Sequence, residues 1–209
     1  MTTKKTTLTL LALAAAGLAL YHSVYVERLS ERQQRLMMKS FNPQQQVDYF
    51  WSSERPRIAA QGLALGELVA RLGADPEPLA AQHGRRAGLG DNVCFVVKAI
   101  VQVDTLSRER IAFALGGARF YIPRRFIFGN TLRDAVGCFG IDNFENTMDY
   151  NAISTALNQR VLVEVVGGVD SALRVGAALA LVGAVEVNLG DLPLREAEVV
   201  PLTLSVAAP

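Results

Sequence analysis

The longest apolar stretch of the chain lies near its N-terminus. Residues 7–26 carry no formal charge, and Lys4 and Lys5 precede them. About twenty apolar residues, each rising ~1.5 Å along a helix, can cross a hydrocarbon layer of ~30 Å. Tyr21 and Tyr25, at the far end, suit a membrane interface. The pattern therefore predicts an uncleaved signal-anchor over residues 1–27, a single-pass contact with the membrane. Cleavage after the alanine- and glycine-rich region is the alternative.

The next segment, residues 28–90, has the spacing of helices. Leu29, Leu36 and Met37 stand among charged residues, which predicts a helical stalk. Asn42 followed by Pro43 is typical of an N-cap and first helical position, and the helix that they open places Trp51 as a packing anchor.

Three further signals divide this helical region. Pro56 should interrupt the first helix, because proline lacks an N–H and clashes with the preceding turn. A second helix should stop at Gly73, and Asp75-Pro76 should start a short one that ends near Gly84. The pattern predicts a helical stalk and helical subdomain over residues 28–90.

From Asn92 the apolar positions follow the pattern of strands. Residues 94–128 read as a meander of about three strands, broken at Asp104–Arg110 and at Gly116–Gly117. Helical spacing returns over residues 143–160, with Asn143 or Asn146 as the cap and Met148, Ile153 and Leu157 near one face. Further strands are expected at the segments VLVEVV (161–166), 172–188 and 198–206.

These elements predict an α+β protein. The N-terminal transmembrane helix and helical segment should precede an OB-like antiparallel β-barrel with an inserted helix, over residues 91–209. At 209 residues with a net charge of +1, the chain can bury one substantial core and has no basic block dense enough to neutralise several phosphates. We therefore expect no nucleic acid among its partners.

Charge and cysteine content leave two questions open. Lys4 and Lys5 lie before the apolar stretch, but four cations follow it within residues 28–39, so the count does not fix the orientation. Cys94 and Cys138 are either joined as a disulfide in an oxidising compartment or buried as unpaired thiols.

Residues able to perform catalysis are scarce. His22 lies in the apolar stretch and His83 at the end of a short predicted helix. Two cysteines without paired histidines offer too few ligands for zinc, and no phosphate-binding glycine loop, nucleophile elbow or HExxH motif occurs. The sequence predicts no metal, no cofactor and no enzymatic activity.

Arg133 and Asp134 form the strongest candidate site. The arginine offers a planar fork of donors, and the carboxylate can accept protons from sugar hydroxyls. Tyr150 and the carboxylates of Asp142, Glu145 and Asp149 could complete a polyol site. In the competing interpretation, which we place first, Arg133 pairs with a carboxylate of residues 142–149 and holds the helix on the barrel, while Asn130 or Thr131 caps a helical turn TLRDAV.

The order of three segments resembles a known family. They are FNPQQQVDYFWSSERPRIAAQ, FVVKAIVQVDTLSR and FIFGNTLRDAVGCFGIDNFENTMDYNAISTALN. Together they resemble the bacterial domain family of predicted periplasmic lipoproteins over residues 41–206. The positions that carry the resemblance are Trp51, Gly129, Thr131, Leu132, Arg133, Asp134, Phe144, Asn146, Tyr150, Leu157 and Asn158.

The resemblance implies an exported, membrane-tethered domain with an OB-like barrel, commonly encoded beside sugar ABC-transporter components. It implies no known chemistry, so the predicted cluster of Arg133, Asp134, Asn146, Tyr150 and Asn158 stays open as a binding site or a framework. Family members carry a lipobox cysteine, but this chain has no cysteine before Cys94, so the apolar helix would replace the acyl anchor.

Two functions follow from this resemblance. The first is a non-enzymatic accessory protein of a carbohydrate ABC transport system, anchored in the bacterial inner membrane with its soluble domain in the periplasm. Its partner would be the permease or the solute-binding protein. The second is a periplasmic sugar-binding module that uses Arg133 and Asp134.

Overall fold

The computed structural model describes residues 41–86, 88 and 90–207. The expected anchor (1–27) and the first part of the expected stalk (28–40) lie outside these residues. Every helix in the described ranges is too short or too polar to span a bilayer. The chain from Asn42 onward clusters into one compact unit.

The first helical element begins as the sequence predicts and then continues past its expected end. Asn42 caps α1 (Pro43–Tyr49), accepting hydrogen bonds from the N–H groups of the following residues. A π-helical turn over Phe50–Glu54 joins α1 to α2 (Arg55–Ala60). Pro56 was expected to interrupt the helix, and this expectation is wrong. The wider π turn precedes it, so the proline occupies the first turn of α2, where a missing N–H is tolerated.

The remaining elements alternate short helices with strands. In chain order they are β1 (Leu63–Ala64), α3 (Leu65–Leu72), α4 (Pro76–His83), β2 (Gly84–Arg86), β3 (Asn92–Gln102), β4 (Thr105–Leu106), β5 (Arg110–Leu115), β6 (Ala118–Pro123), α5 (Thr131–Val136), α6 (Thr147–Arg160), α7 (Gly167–Val169), β7 (Ala178–Asn188) and β8 (Glu196–Val206). The helical ends expected at Gly73 and near Gly84 are confirmed.

An 8-stranded sheet forms the centre of the fold. Its order is β1-β3-β7-β8-β6-β5-β4, with β2 also paired to β3. The tight hairpin between β5 and β6 turns at Gly116 and Gly117, whose φ angles of 62° and 86° suit glycine. On this hairpin Phe113 and Phe120 stack with ring centroids 5.4 Å apart in the core.

Two features of the sheet differ from the expected antiparallel barrel. The pairs β1–β3 and β6–β8 are parallel, and among the described residues no pair joins the β4 end of the path to the β1 end. β3 gives all 11 of its residues to β7, while β1 and β2 occupy its other edge. On that second edge the paired residues of β3 are 93–95 and 97–98, and residues 99–102 have no strand partner there in the described chain. Since β4 pairs with β5 and not with this free stretch, the sheet stays open.

The segment 161–166 was expected to be a strand and is helical. α6 runs on through a π-helical stretch, Val161–Val166, into α7. Val161 and Val165, four positions apart, are buried, whereas Val163 is 62% exposed. This helical spacing lets the stretch pack against β8. The packing overrides the strand preference of a valine-rich run.

Candidate functional site

The candidate cluster is centred on α5, and Asn158 binds the segment that leads into this helix. The Asn158 carboxamide, buried on α6, donates to the carbonyl oxygens of Ile127 at 3.3 Å and Gly129 at 3.1 Å. The irregular segment before α5 is thereby attached to the long helix. Asn158 is a structural contact and does not line the cavity beside Arg133.

The guanidinium of Arg133 contacts groups of the protein itself. Its Nε and Nη2 each lie 2.8 Å from Asp134 Oδ1. Its Nη1 donates to the carbonyl oxygen of Tyr150 at 3.3 Å and to Asn151 Oδ1 at 3.2 Å. The guanidinium carbon also lies 3.5 Å from the centroid of the Tyr150 ring. With only 5% of Arg133 exposed, these contacts join α5 to α6.

Tyr150 completes the cluster from the side of α6. Its hydroxyl donates to Asp134 Oδ1 at 3.3 Å, and its ring lies 5.3 Å from that of Phe144. Burial raises the pKa of this hydroxyl, against the opposing charge of Arg133 and with a contribution from Asp134. The hydroxyl therefore remains a hydrogen-bond donor at neutral pH.

The expectation that Arg133 pairs with a carboxylate of residues 142–149 is wrong. No hydrogen bond or ion pair joins Arg133 to the carboxylates of residues 142–149 in the described chain; its acidic partner is Asp134, its own neighbour. The link to α6 uses a main-chain carbonyl and the side chain of Asn151, which carry no charge and gave no sequence signal. The helical turn TLRDAV is confirmed as α5, although the Asn130 side chain makes no capping hydrogen bond. Instead, the Thr131 hydroxyl donates to Glu186 Oε2 at 3.2 Å.

The other predicted residues act locally. Asn146 caps α6, accepting from the Asp149 N–H at 2.8 Å, and does not contact Arg133. Met148 was expected on the buried face with Ile153 and Leu157, but it is 80% exposed. Trp51 is buried, with the guanidinium of Arg160 5.0 Å from its ring, which confirms it as a packing anchor.

A cavity of about 720 Å³ opens beside the cluster. Its walls combine charged, aromatic and backbone groups: Arg85, Arg86, Gly88, Gly129, Asn130, Arg133, Asp134, Phe139, Ile141, Tyr150 and Glu186. Sequence reasoning missed Arg85 and Glu186, because β2 and β7 bring them here from distant parts of the chain. The guanidinium of Arg85 lies against Gly137, where a Cβ would meet Arg85 Cζ at 2.3 Å.

Both cysteines are free thiols in the structure. Cys94 lies on β3 with 0% exposure. Burial, with smaller contributions from the carboxylates of Glu186 and Asp134, raises the pKa of its thiol to about 12. Burial also raises the pKa of the half-buried Cys138 thiol. Neither thiol is activated for nucleophilic attack, which requires a lowered pKa.

Metal ligands do not gather in the described ranges. Across residues 41–86, 88 and 90–207, no three histidine, cysteine or acidic side chains are close enough together to hold a metal ion. Among the residues that line the cavity, Arg85, Asp134, Tyr150 and Glu186 bring polar side chains to its wall.

Comparison with known proteins supports the fold and the family. The crystal structure of an OB-fold protein from Thermotoga maritima superposes with a TM-score of 0.72 at 19% identity, covering 81% of this chain and 100% of that chain. No curated protein matches this chain. The model of the family described as "Predicted periplasmic lipoprotein (DUF2291)" matches residues 14–205. This match confirms the resemblance drawn from the three sequence segments, and the chain belongs to the family of predicted periplasmic lipoproteins.

Proposed function

We propose that this protein is a non-enzymatic accessory component of a carbohydrate ABC transport system, tethered to the periplasmic face of the bacterial inner membrane. The family to which it belongs supports a periplasmic, membrane-associated location. The proposed partner is the permease or the solute-binding protein of the transporter. A tether to the same membrane would raise the effective concentration of the domain near that partner without any added contact.

An exposed aromatic pair, Phe126 and Phe128, is the observation that carries the proposal. The two side chains are 68% and 80% exposed, and their rings stack with centroids 6.2 Å apart. Large aromatic side chains dominate the binding energy of many protein interfaces when a partner covers them. Because single exposed apolar residues are common, the stacking of two such rings on one segment is the informative feature.

The candidate cluster holds the segment that bears this pair. Asn158 binds the carbonyl oxygens of Ile127 and Gly129, which flank Phe128 in the chain. Arg133 then joins α5, which follows the segment, to α6. A segment fixed in this way loses little conformational freedom when a partner binds, so less of the contact energy is spent on ordering it. In this proposal the cluster acts as a framework that orders the segment for contact with the partner.

A second candidate function rests on the cavity. Its volume of about 720 Å³ falls within the ~300–1,000 Å³ of small-molecule sites. In the described chain Arg85 makes no hydrogen bond or ion pair, so its guanidinium could bind a ligand hydroxyl or carboxylate. This arrangement favours a sugar-binding module in which Arg85 and Tyr150, rather than Arg133, meet the ligand.

Copurification tests the first candidate. The full-length protein is recovered from its native membrane in mild detergent and its companions are identified by mass spectrometry. We expect a permease or solute-binding protein with the wild type, and its loss in the variant Phe126→Ser/Phe128→Ser. Ile100→Ser is the matched control, since Ile100 is 76% exposed on another element. Recovery of the transporter component by all three proteins would contradict the proposed contact surface, and its absence from the wild type would contradict the function.

A sugar panel tests the second candidate. Thermal unfolding of the full-length protein is followed with each sugar in turn. If the cavity binds one, the melting temperature rises in the wild type and the rise is lost in Arg85→Gln. An unchanged melting temperature with every sugar of the panel would contradict sugar binding in the cavity.

A further inference from the structure

A second pocket lies on another part of the surface and is lined by arginines. It encloses about 240 Å³ between the segment after β6 and the π-helical stretch that continues α6. Arg108, Arg124 and Arg125 line it, together with Leu162, Val166, Gly167 and Asp170. None of these residues belongs to the candidate cluster.

The charges in this pocket are only partly balanced. The Arg124 guanidinium pairs with Asp170 and donates to the carbonyl oxygen of Ser107. In the described chain, Arg108 and Arg125 make no hydrogen bond or ion pair, and both are exposed. Asp170 is the sole acidic residue in the pocket wall, so two positive charges are left without a counter-charge.

One donor of Arg124 is also left unused. Its Nε is buried and has no hydrogen-bond partner in the described chain. A buried donor without a partner is unfavourable, so such groups in folded proteins call for an explanation such as a water or ion. Arg124 is held in place by its other contacts and is therefore a fixed positive charge beside two exposed arginines.

The size of the pocket limits what can occupy it. Its volume of about 240 Å³ is below the ~300–1,000 Å³ typical of drug-sized ligands, which excludes a disaccharide or a nucleotide from lying wholly inside. Guanidinium groups bind phosphate through paired N–H donors, and such charge-assisted hydrogen bonds are roughly twice as strong as neutral ones.

From these observations we infer that Arg108, Arg124 and Arg125 form a binding site for a single phosphate group. The group belongs either to a soluble phosphate compound or to the headgroup of an anionic phospholipid, and both offer the same tetrahedral anion to the pocket. Arg124 is the fixed part of the site, while Arg108 and Arg125 close on the anion. Arg125 directly precedes Phe126 in the chain, but the phosphate site rests on the arginines alone and does not depend on the proposed transporter partner.

Titration calorimetry with inorganic phosphate tests the site. Phosphate is added at constant ionic strength to the full-length protein in a neutral detergent, and the fit gives an affinity and a stoichiometry. We expect one phosphate per chain. Arg108→Gln and Arg125→Gln should each weaken the affinity by at least about tenfold, the equivalent of one lost charged hydrogen bond.

The control is Arg119→Gln, which removes an exposed arginine on β6 that does not line the pocket. It should leave the affinity unchanged. Because Arg108, Arg119 and Arg125 make no side-chain hydrogen bond or ion pair with other described residues, none of these variants should alter folding. Unaltered affinity in both pocket variants, or no phosphate binding by the wild type, would overturn the inference.

A competition arm identifies the source of the phosphate. The titration is repeated in mixed micelles containing phosphatidylglycerol. A loss of phosphate affinity that Arg125→Gln abolishes would assign the site to a lipid headgroup, and unchanged affinity would assign it to a soluble phosphate compound. Competition of equal strength in Arg125→Gln would count against the pocket as the place where the anion binds.

Discussion

Replacement of Arg133 by alanine separates a framework role from a ligand-binding role. Arg133→Ala removes the two 2.8 Å contacts to Asp134 Oδ1, the two hydrogen bonds to Tyr150 and Asn151, and the guanidinium stacked on the Tyr150 ring. The Asp134 carboxylate is left without its cation, and α5 loses its polar link to α6.

The expected loss of stability follows from the burial of the two partners. Breaking a fully buried ion pair from one side costs about 3–5 kcal/mol. The Arg133 side chain is 5% exposed, but that of Asp134 is 15% exposed and borders the cavity, so water can reach the orphaned carboxylate. We therefore expect the lower end of the range, about 3 kcal/mol. For a unit of this size that corresponds to a fall in melting temperature of about 6–12 °C.

Trp51 reports the unfolding, since it is the only tryptophan of the chain and is buried near the end of α6. Its fluorescence is followed against temperature for the wild type, Arg133→Ala and the exposed control Arg119→Ala. The control should lose less than about 0.5 kcal/mol of its free energy of unfolding. A double-mutant cycle with Asp134→Ala should recover part of the loss, because it also removes the unpaired carboxylate. An unchanged melting temperature in Arg133→Ala, with ligand or partner binding abolished, would refute the framework interpretation.

Three further substitutions test the account. Asn158→Ala should destabilise the protein by about 1–3 kcal/mol in a thermal melt, because it leaves two carbonyl oxygens without their donor; a neutral result would contradict the bracing of the aromatic segment. Gly137→Ala should cost about 1–2 kcal/mol by the same assay, since Gly137 has a φ of 62° at the end of α5; no loss would mean that the turn adapts. The Cys94 thiol has its pKa raised from 9.0 to about 12, so the folded state holds its proton above pH 9 and the free energy of unfolding should fall as the pH rises from 9 to 12. Chemical denaturation across that range measures the free energy of unfolding at each pH. Its fall with pH should be steeper in the wild type than in Cys94→Ala, by up to about 1.4 kcal/mol per pH unit. Equal slopes in the two proteins would contradict the raised pKa.

Local signals in the sequence were enough to predict the boundaries of those elements that begin or end at a capping or turn residue. Residues with strong backbone preferences mark a helix start at Asn42 and Pro43, a helix end at Gly73 and a turn at Gly116–Gly117. The chain therefore begins and ends those elements where the sequence indicates. The helix capped by Asn146 was likewise predictable from the residues within one turn of its start.

Contacts between distant segments decided the rest. VLVEVV reads as a strand, yet its valines pack as a helical face on β8. Short apolar runs fit both periods, so only the partner surface separates them. The sheet stays open because β4 pairs with β5 and not with the free edge of β3, a choice between distant segments that no local pattern could reveal. Arg133 found its acidic partner one residue away, whereas its contacts to α6 are to groups without a charge signal.

Photo-crosslinking at Phe128 in living cells tests whether the aromatic pair contacts a transporter component. A photoreactive phenylalanine analogue is placed at position 128, on the aromatic pair, or at the equally exposed position 100 as a control. We expect a crosslink to a permease or solute-binding protein from position 128 and none from position 100. Crosslinks of equal yield from both positions, or none from position 128, would contradict the proposal that this protein works by presenting its aromatic pair to a transporter.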